Sequence, residues 1–467
     1  MNAAIDRYFK ITERRSTIGT EVRAGVVSFF AMAYIILLNP LILGTSEDSA
    51  GTTLGIPQVA AATALVAGVM TIAFGVIARY PFAMAAGLGM NTFVAVTMVS
   101  LNGLEWREAM GLVVIEGIII VLLAISGFRQ AVFDAIPASM KAAMGVGIGM
   151  FIALIGFVDG HFVTRVPDAA NTTVPVGLGI NGSISTWPAF VFIVGLILSS
   201  FFVIRQVRGG LFIGIVLTTI IAMIIQAFTG SEEWGMATPE VPDSLGGIPD
   251  LSIVGQVDPI SAFTKLGVVS TVLLIFTLLL TNFFDAMGTM NGLGKQADLV
   301  DEKGNLPDMK TALVVEGVGA VAGGAGSVSS NTVFADSAAG IGDGARTGFA
   351  NVVTGVIFLL AMFLTPLYEI VPIEAAAPVL VIVGVMMAAQ LKDIEWTRME
   401  QAIPAFLTIV VMPFTYSIAN GIGVGFIAYA LMATFAGKAK KVHWIMWLVA
   451  ALFVVYFAMG PITAALA

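Results

Sequence analysis

The sequence predicts an all-α polytopic membrane protein of about fourteen spans, folded as two seven-span halves of opposite orientation. Three observations carry that prediction. Of the 467 residues, 58% are hydrophobic and 11% charged, where soluble domains hold about 45–50% and 25%. Apolar stretches long enough to cross a bilayer as helices recur along the whole chain. Sorting Lys and Arg by the side each span would leave them on places 19 of the 22 on one face, a strong positive-inside bias.

The spans are read in order. The first half holds 22–43, 57–78, 81–100, 109–127, 138–158, 187–204 and 210–229. The second holds 266–290, 311–325, 329–344, 347–366, 374–391, 401–416 and 419–436, and a further apolar segment follows at 443–463. The N-terminus carries Arg7, Lys10, Arg14 and Arg15 without a short apolar stretch and cleavage site. A cytoplasmic N-terminus and no cleaved signal peptide are therefore expected. Only Arg107, Arg165 and Lys265 fall outside. Glu232, Glu233, Glu240, Asp243, Asp250 and Asp258 read as a solvated external loop between the halves.

Cysteine is absent, which excludes disulfides, thiolate catalysis and cysteine metal sites. The two histidines, His161 and His443, fall outside or at the edge of the spans. Proton handling within the membrane is left to carboxylates.

Weak internal matches point to the inverted repeat. NTFVAV from Asn91 resembles NTVFAD from Asn331, 240 residues later, and both seventh and fourteenth spans carry Gly-x-x-x-Gly (Gly210/Gly214 and Gly421/Gly425). The third and tenth spans are poor continuous helices. One opens with Pro81, Gly87 and Gly89, and the other is rich in Ser, Gly and Asn. Irregular backbone at membrane depth survives only where protein buries it or a cavity hydrates it. A pair of interrupted spans at matching positions marks a transporter's substrate site.

Four acids sit within spans: Glu116, Asp285, Glu316 and Asp336. Each costs about 2.5–3.5 kcal/mol at mid-membrane unless it lines a cavity, pairs or is protonated. A neutral acid hydrogen-bonded inside the bundle is the plain alternative, and it weighs most for Glu116 and Glu316, which sit in ordinary helices. Asp285 and Asp336 adjoin broken-helix signals. The G-x-G-x-x-A string at 317–322 has no βαβ context and reads as helix packing. A different class is an intramembrane aspartyl protease, with the G-x-G-D at Gly340–Asp343 and Asp285 as the partner of Asp343. The Tyr-Asp and Pro-Ala-Leu motifs of those proteases are missing.

The stretches FFDAMGTMNGLGKQADLVDEKGNLPDMKTAL, AAGLGMNTF and TVFADSAAGIGDGARTG resemble the AzgA-like adenine/guanine/hypoxanthine permeases. Those belong to the nucleobase–cation symporter-2 (nucleobase–ascorbate transporter) superfamily, and the likeness runs nearly end to end. The resemblance implies a uracil-permease-like fold of seven plus seven spans, with short strands in spans 3 and 10. It implies a core domain over 1–137 and 262–367 and a gate domain over 138–261 and 368–467. It also implies import of adenine, guanine or hypoxanthine by proton symport, with an elevator-like movement of the core. Related carriers for xanthine, urate or uracil, and an anion exchanger of the same fold, are the alternatives.

Asp285 matches the family's span-8 acid, Asn91 the polar residue of span 3, and Asp336 the span-10 position where the family usually has Glu. That departure shortens the arm by about one C–C bond, ~1.5 Å. The residues expected to meet the base are Asp285, Asp336, Asn91, Phe93, Phe284, Ser330, Asn331 and Thr332, with Asp336 and Glu316 as proton carriers. A purine's edge donors and acceptors call for carboxylates and amides, which this set supplies. One pH unit supplies about 1.36 kcal/mol and 100 mV about 2.3 kcal/mol per charge, enough for one proton to drive accumulation. No cofactor, metal or nucleic acid is expected. The expected partners are a purine base, the bilayer of a plasma or inner membrane, and a second copy through the gate domain.

Overall fold

The computed structural model describes residues 2–126, 135–165, 176–179, 182–230, 234, 238–239, 244, 246–300, 306–367 and 370–466. A short helix α1 (Asn2–Phe9) precedes the first span, made of α2 (Ile18–Met32) and α3 (Ile35–Leu43) with only Ala33 and Tyr34 between them. Thr17 caps α2 by accepting from the Thr20 N–H, one of the donors a helix start leaves unpaired. Helix α4 (Ile56–Ile77) is span 2. Span 3 is broken as expected, into strand β1 (Met84–Ala86), half-helix α5 (Leu88–Thr92) and a π-helical stretch, Phe93–Leu101. The half closes with α6 (Trp106–Ser126), α7 (Ala138–Asp159), α8 (Trp187–Ile204) and α9 (Gly210–Thr229). Between α7 and α8, β2 (Val163–Arg165) and β3 (Val176–Leu178) form an antiparallel hairpin that the all-α reading did not anticipate.

The second half follows the same plan. A short α10 (Ser261–Leu266) leads into α11 (Val268–Gln296) and α12 (Met309–Ala325). Span 10 is strand β4 (Asn331–Val333) and half-helix α13 (Ser337–Gly342). Then come α14 (Gly348–Ala361), α15 (Ile373–Ala388), α16 (Met399–Phe414) and α17 (Ile418–Phe435). The apolar segment after span 14 is one helix, α18 (Trp444–Leu466), with the Phe453 ring 6.5 Å from Phe426 of α17. Among the described residues nine helices are long and apolar enough to cross a membrane, joined by four shorter apolar ones. This is a multi-pass membrane protein.

The two halves show their relation in how the helices pack. The most extensive contacts come as exchanged pairs: α4 with α14 and α12 with α6, α7 with α16 and α15 with α8, α8 with α9 and α16 with α17. The pair α7–α15 maps onto itself under the same exchange. Glycines permit the closest of these. Gly75 of α4 and Gly348 of α14 lie backbone to backbone, and a Cβ on either would fall on the other's main chain.

Strands β1 and β4 cross antiparallel, Met84 opposite Val333 and Ala86 opposite Asn331. Equating the strands places Met84 on Asn331, an offset of 331 − 84 = 247 residues. The NTFVAV/NTVFAD match at 240 is therefore seven residues out of register. The counterpart of Asn91 is Ala338, and Asn331 is a strand residue.

Broken spans expose backbone groups that no water reaches, and neighbouring side chains satisfy them. Thr71 accepts from Met84 N–H at 2.9 Å and donates to its carbonyl at 3.0 Å. Asn351 donates to Phe82 C=O at 2.7 Å, and the Ser337 hydroxyl accepts from Ala83 N–H at 2.9 Å. Gly87 N–H donates to Ser330 C=O at 3.1 Å.

The loop between the halves is not simply solvated. Gly255 N–H donates to Ala325 C=O at 2.7 Å, Asp258 N–H to Arg107 C=O at 2.8 Å, and the Ser327 hydroxyl to Ile253 C=O at 2.8 Å. Glu232, Glu233, Glu240 and Asp243 lie outside the described residues.

Candidate functional site

The two half-helix starts and α11 meet α7 and α15 around a cavity of about 530 Å³. That lies within the range of small-molecule sites, about 300–1,000 Å³. One wall is formed by the two half-helix starts, Gly87 to Met90 and Val333 to Ala335. The opposite wall is apolar, with Met144, Ile148 and Ile152 of α7 and Val383, Met386 and Met387 of α15. Polar groups are few, as in sites that orient a flat ligand.

Two carboxylates, Asp285 and Asp336, line this space at the half-helix end, and a third, Asp393, at the other. Asp285, on α11, is exposed to it, and Thr281 and Thr289, one turn to either side, line it as well. Asp336 precedes α13, is half-buried and lines the cavity. Its Oδ2 accepts a hydrogen bond of 2.9 Å from the hydroxyl of Tyr34. Tyr34 sits at the join between α2 and α3, is 1% exposed, and has its ring 6.0 Å from that of Phe334. Lys141, Gln390 and Asp393 line the other end of the cavity.

Among the described side chains, the remaining expected site residues do not line the cavity. Asn91 is fully buried and donates to the Asn39 side-chain oxygen at 2.7 Å, while Asn39 donates to Thr63 at 2.8 Å. Phe93 is fully buried in the apolar core, one position past the half-helix. The side chain of Phe284 lies outside the described residues. Asn331 is 1% exposed and neither atom of its amide finds a protein partner. Thr332 points at Glu316, its hydroxyl 3.4 Å from Oε1, so Glu316 sits behind the strand. For the strand residues Asn331 and Thr332 the reason is local, since β4 packs on α12 and α11.

Ser330 belongs to a buried knot behind the site. Asn282 donates to Glu116 Oε1 at 2.8 Å and to the Ser330 hydroxyl at 2.9 Å, and that hydroxyl donates to Glu116 Oε2 at 3.2 Å. Asn282, Glu116 and Ser330 are each fully buried. Asn282 lies one turn before Asp285 and Ser330 leads into β4. Glu116 thus ties the two carboxylate-bearing elements together.

The aspartyl-protease alternative does not survive the geometry. Asp343 is not among the residues that line the cavity, and its side-chain exposure is 3%. Arg23 Nε holds its Oδ2 at 2.6 Å, Arg208 Nη1 pairs with Oδ1, and Arg23 Nη2 donates to its carbonyl at 2.9 Å. An aspartate engaged by two guanidiniums is not a partner that shares a proton with Asp285.

Tyr34, Thr281, Thr289, Lys141, Gln390 and Asp393 were missed from sequence. The signal for Thr281 and Thr289 was present, four residues to either side of Asp285 on one helix face. The others carry none.

Comparison with known proteins follows the same line. A family model described as Permease family (Xan_ur_permease) matches residues 19–424. Guanine/hypoxanthine permease PbuG of Bacillus subtilis is 37% identical over 457 residues, covering 96% of this chain and 98% of that protein. Adenine permease AdeQ of Escherichia coli is 33% identical over 453 residues, with 97% and 96% covered. In fold, the transmembrane domain of the cyanobacterial bicarbonate transporter BicA is similar with a TM-score of 0.63 at 14% identity, over 86% of this chain and 97% of that one. The seven-plus-seven inverted repeat is common to both. The chain belongs to the Xan_ur_permease family, within the nucleobase–cation symporter-2 group whose motifs it carries, and it is a permease rather than an enzyme.

Proposed function

We propose that this permease imports purine nucleobases, adenine, guanine or hypoxanthine, across the plasma membrane by proton symport. The observation that carries the reading is the cavity between the half-helix starts and α7/α15, with the carboxylates Asp285 and Asp336 at its half-helix end. A purine presents N–H groups on its edges and two flat apolar faces. Acidic acceptors on one wall and methionine and isoleucine on the other match that chemistry. An anion would meet three carboxylates there, Asp285, Asp336 and Asp393, against the single lysine Lys141. The names of the relatives, permeases of guanine, hypoxanthine and adenine, agree.

Helices α2–α6 with α11–α14 form the core in this proposal, and α7–α9 with α15–α17 the gate, the core moving like an elevator against it. A homodimer through the gate group is part of the same reading. With the N-terminus cytoplasmic, Lys141 before the body of α7 and Asp393 after α15 lie at the cytoplasmic end, so the cavity opens inward. Asp336, which lines the cavity, is the better-placed proton carrier than Glu316 behind the strand.

Uptake of radiolabelled hypoxanthine in a host lacking nucleobase transport, competed with adenine, guanine, xanthine, urate and uracil, tests the proposal. Competition by the first two, abolished by a protonophore, is expected. Competition by xanthine, urate or uracil alone would transfer the protein to the related carriers.

A further inference from the structure

We infer that Tyr34 is a positioning residue that sets base preference, by competing with substrate for one oxygen of Asp336. The inference rests on the purine reading of the same cavity.

A free carboxylate offers two oxygens and can take two parallel N–H groups at once, as it does from a guanidinium. At Asp336 one of the two oxygens is already shared. Its Oδ2 is engaged by the Tyr34 hydroxyl at 2.9 Å. The phenol cannot swing away cheaply. Tyr34 is 1% exposed, its ring lies against Phe334, and its carbonyl accepts the Leu37 and Leu38 N–H groups at 3.0 and 2.9 Å, fixing its backbone in the helix start of α3. Asp336 itself is half-buried and faces the cavity. The consequence is a held carboxylate with Oδ1 wholly open to substrate and Oδ2 shared with the phenol. Tyr34 lines the cavity but is 1% exposed with its hydroxyl committed to the carboxylate, and it acts through Asp336.

Purines differ in how many adjacent donors they bring to such a point. Hypoxanthine brings one N–H beside its carbonyl, and guanine brings a ring N–H and an amino group side by side. Oδ1 serves the first fully, whereas the second donor of guanine must share Oδ2 with the phenol. Removing the Tyr34 hydroxyl frees Oδ2 for substrate and strengthens the two-point contact.

The test is Tyr34→Phe, read by competition of guanine and hypoxanthine against radiolabelled hypoxanthine uptake at matched surface expression. The expected result is a rise of about tenfold in guanine affinity relative to hypoxanthine, the scale of one added hydrogen bond to a charged group. A purely structural role for Tyr34 would weaken both bases alike, so an unchanged ratio overturns the inference. If Tyr34→Phe does not reach the membrane, Asp336→Asn decides. Its amide oxygen takes the Tyr34 hydroxyl and its NH₂ faces substrate, so hypoxanthine affinity should fall more than tenfold, and an unchanged affinity overturns the inference. Failure of every purine to compete in the unmutated protein would instead sink the purine reading.

Discussion

Removing the Asp336 carboxylate separates what that group does for the fold from what it does for the substrate. In Asp336→Ala the Tyr34 hydroxyl, on a residue 1% exposed, loses the acceptor it holds at 2.9 Å. A buried donor left unpaired costs about 1–3 kcal/mol, which should appear as a lowered melting temperature of the detergent-purified protein. The substrate N–H that Asp336 would accept is also left unpaired, at about 1–3 kcal/mol, or roughly a 5- to 150-fold rise in Kd. The double variant Asp336→Ala/Tyr34→Phe removes both partners of the protein's own bond. Most of the lost stability should return, because replacing both partners of a hydrogen bond is nearly neutral. The lost affinity should not. Thermal unfolding and equilibrium binding of labelled hypoxanthine, measured on the three variants and the unmutated protein, complete the cycle. If Asp336→Ala bound with unchanged affinity and the same order of bases, Asp336 would be structural, and the site would have to be redrawn around Asp285.

Other expectations concern the scaffold. Gly348→Ala should destabilise by about 1–3 kcal/mol, since its Cβ would meet the Gly75 main chain, whereas Gly19→Ala, with nothing within 4 Å, should be neutral; melting temperatures decide. A cysteine at Ser244 should react with an impermeant thiol reagent from outside and one at Asp308 should not, the chain having no native cysteine. At the end of α7, hydrogen bonding to Glu374 3.5 Å away, with Asp159 also nearby, holds the His161 pKa above the usual histidine value. A raised folded pKa gives stability that is complete below about pH 6.5 and disappears as pH rises through the folded value. The melting-temperature advantage of the unmutated protein over His161→Gln should therefore be largest near pH 5.5 and gone near pH 9.

The spans were legible because each needs a long apolar run. Asp285 and Asp336 were legible for the opposite reason, as acids where apolar residues belong. Tyr34 was not, because an aromatic inside a span looks the same whether it packs in the core or holds a carboxylate. Lys141, Gln390 and Asp393 lie at span ends, where charged and polar residues ordinarily mark the interface. Asn91 misled because its type and position matched a site motif, while its direction depended on Asn39, 52 residues away. Register was the hardest feature. Three-residue strands carry too little pattern to align, and a chance likeness seven residues away outweighed them.

The central claim is that a purine crosses the membrane through the cavity that Asp285 faces. It is tested most directly in proteoliposomes, with labelled hypoxanthine outside and an inward proton gradient imposed. The account predicts accumulation by the unmutated protein that collapses with the gradient, and none by Asp285→Asn, which keeps the side chain's shape and loses its charge. Accumulation by Asp285→Asn equal to that of the unmutated protein, at equal reconstitution, would contradict it.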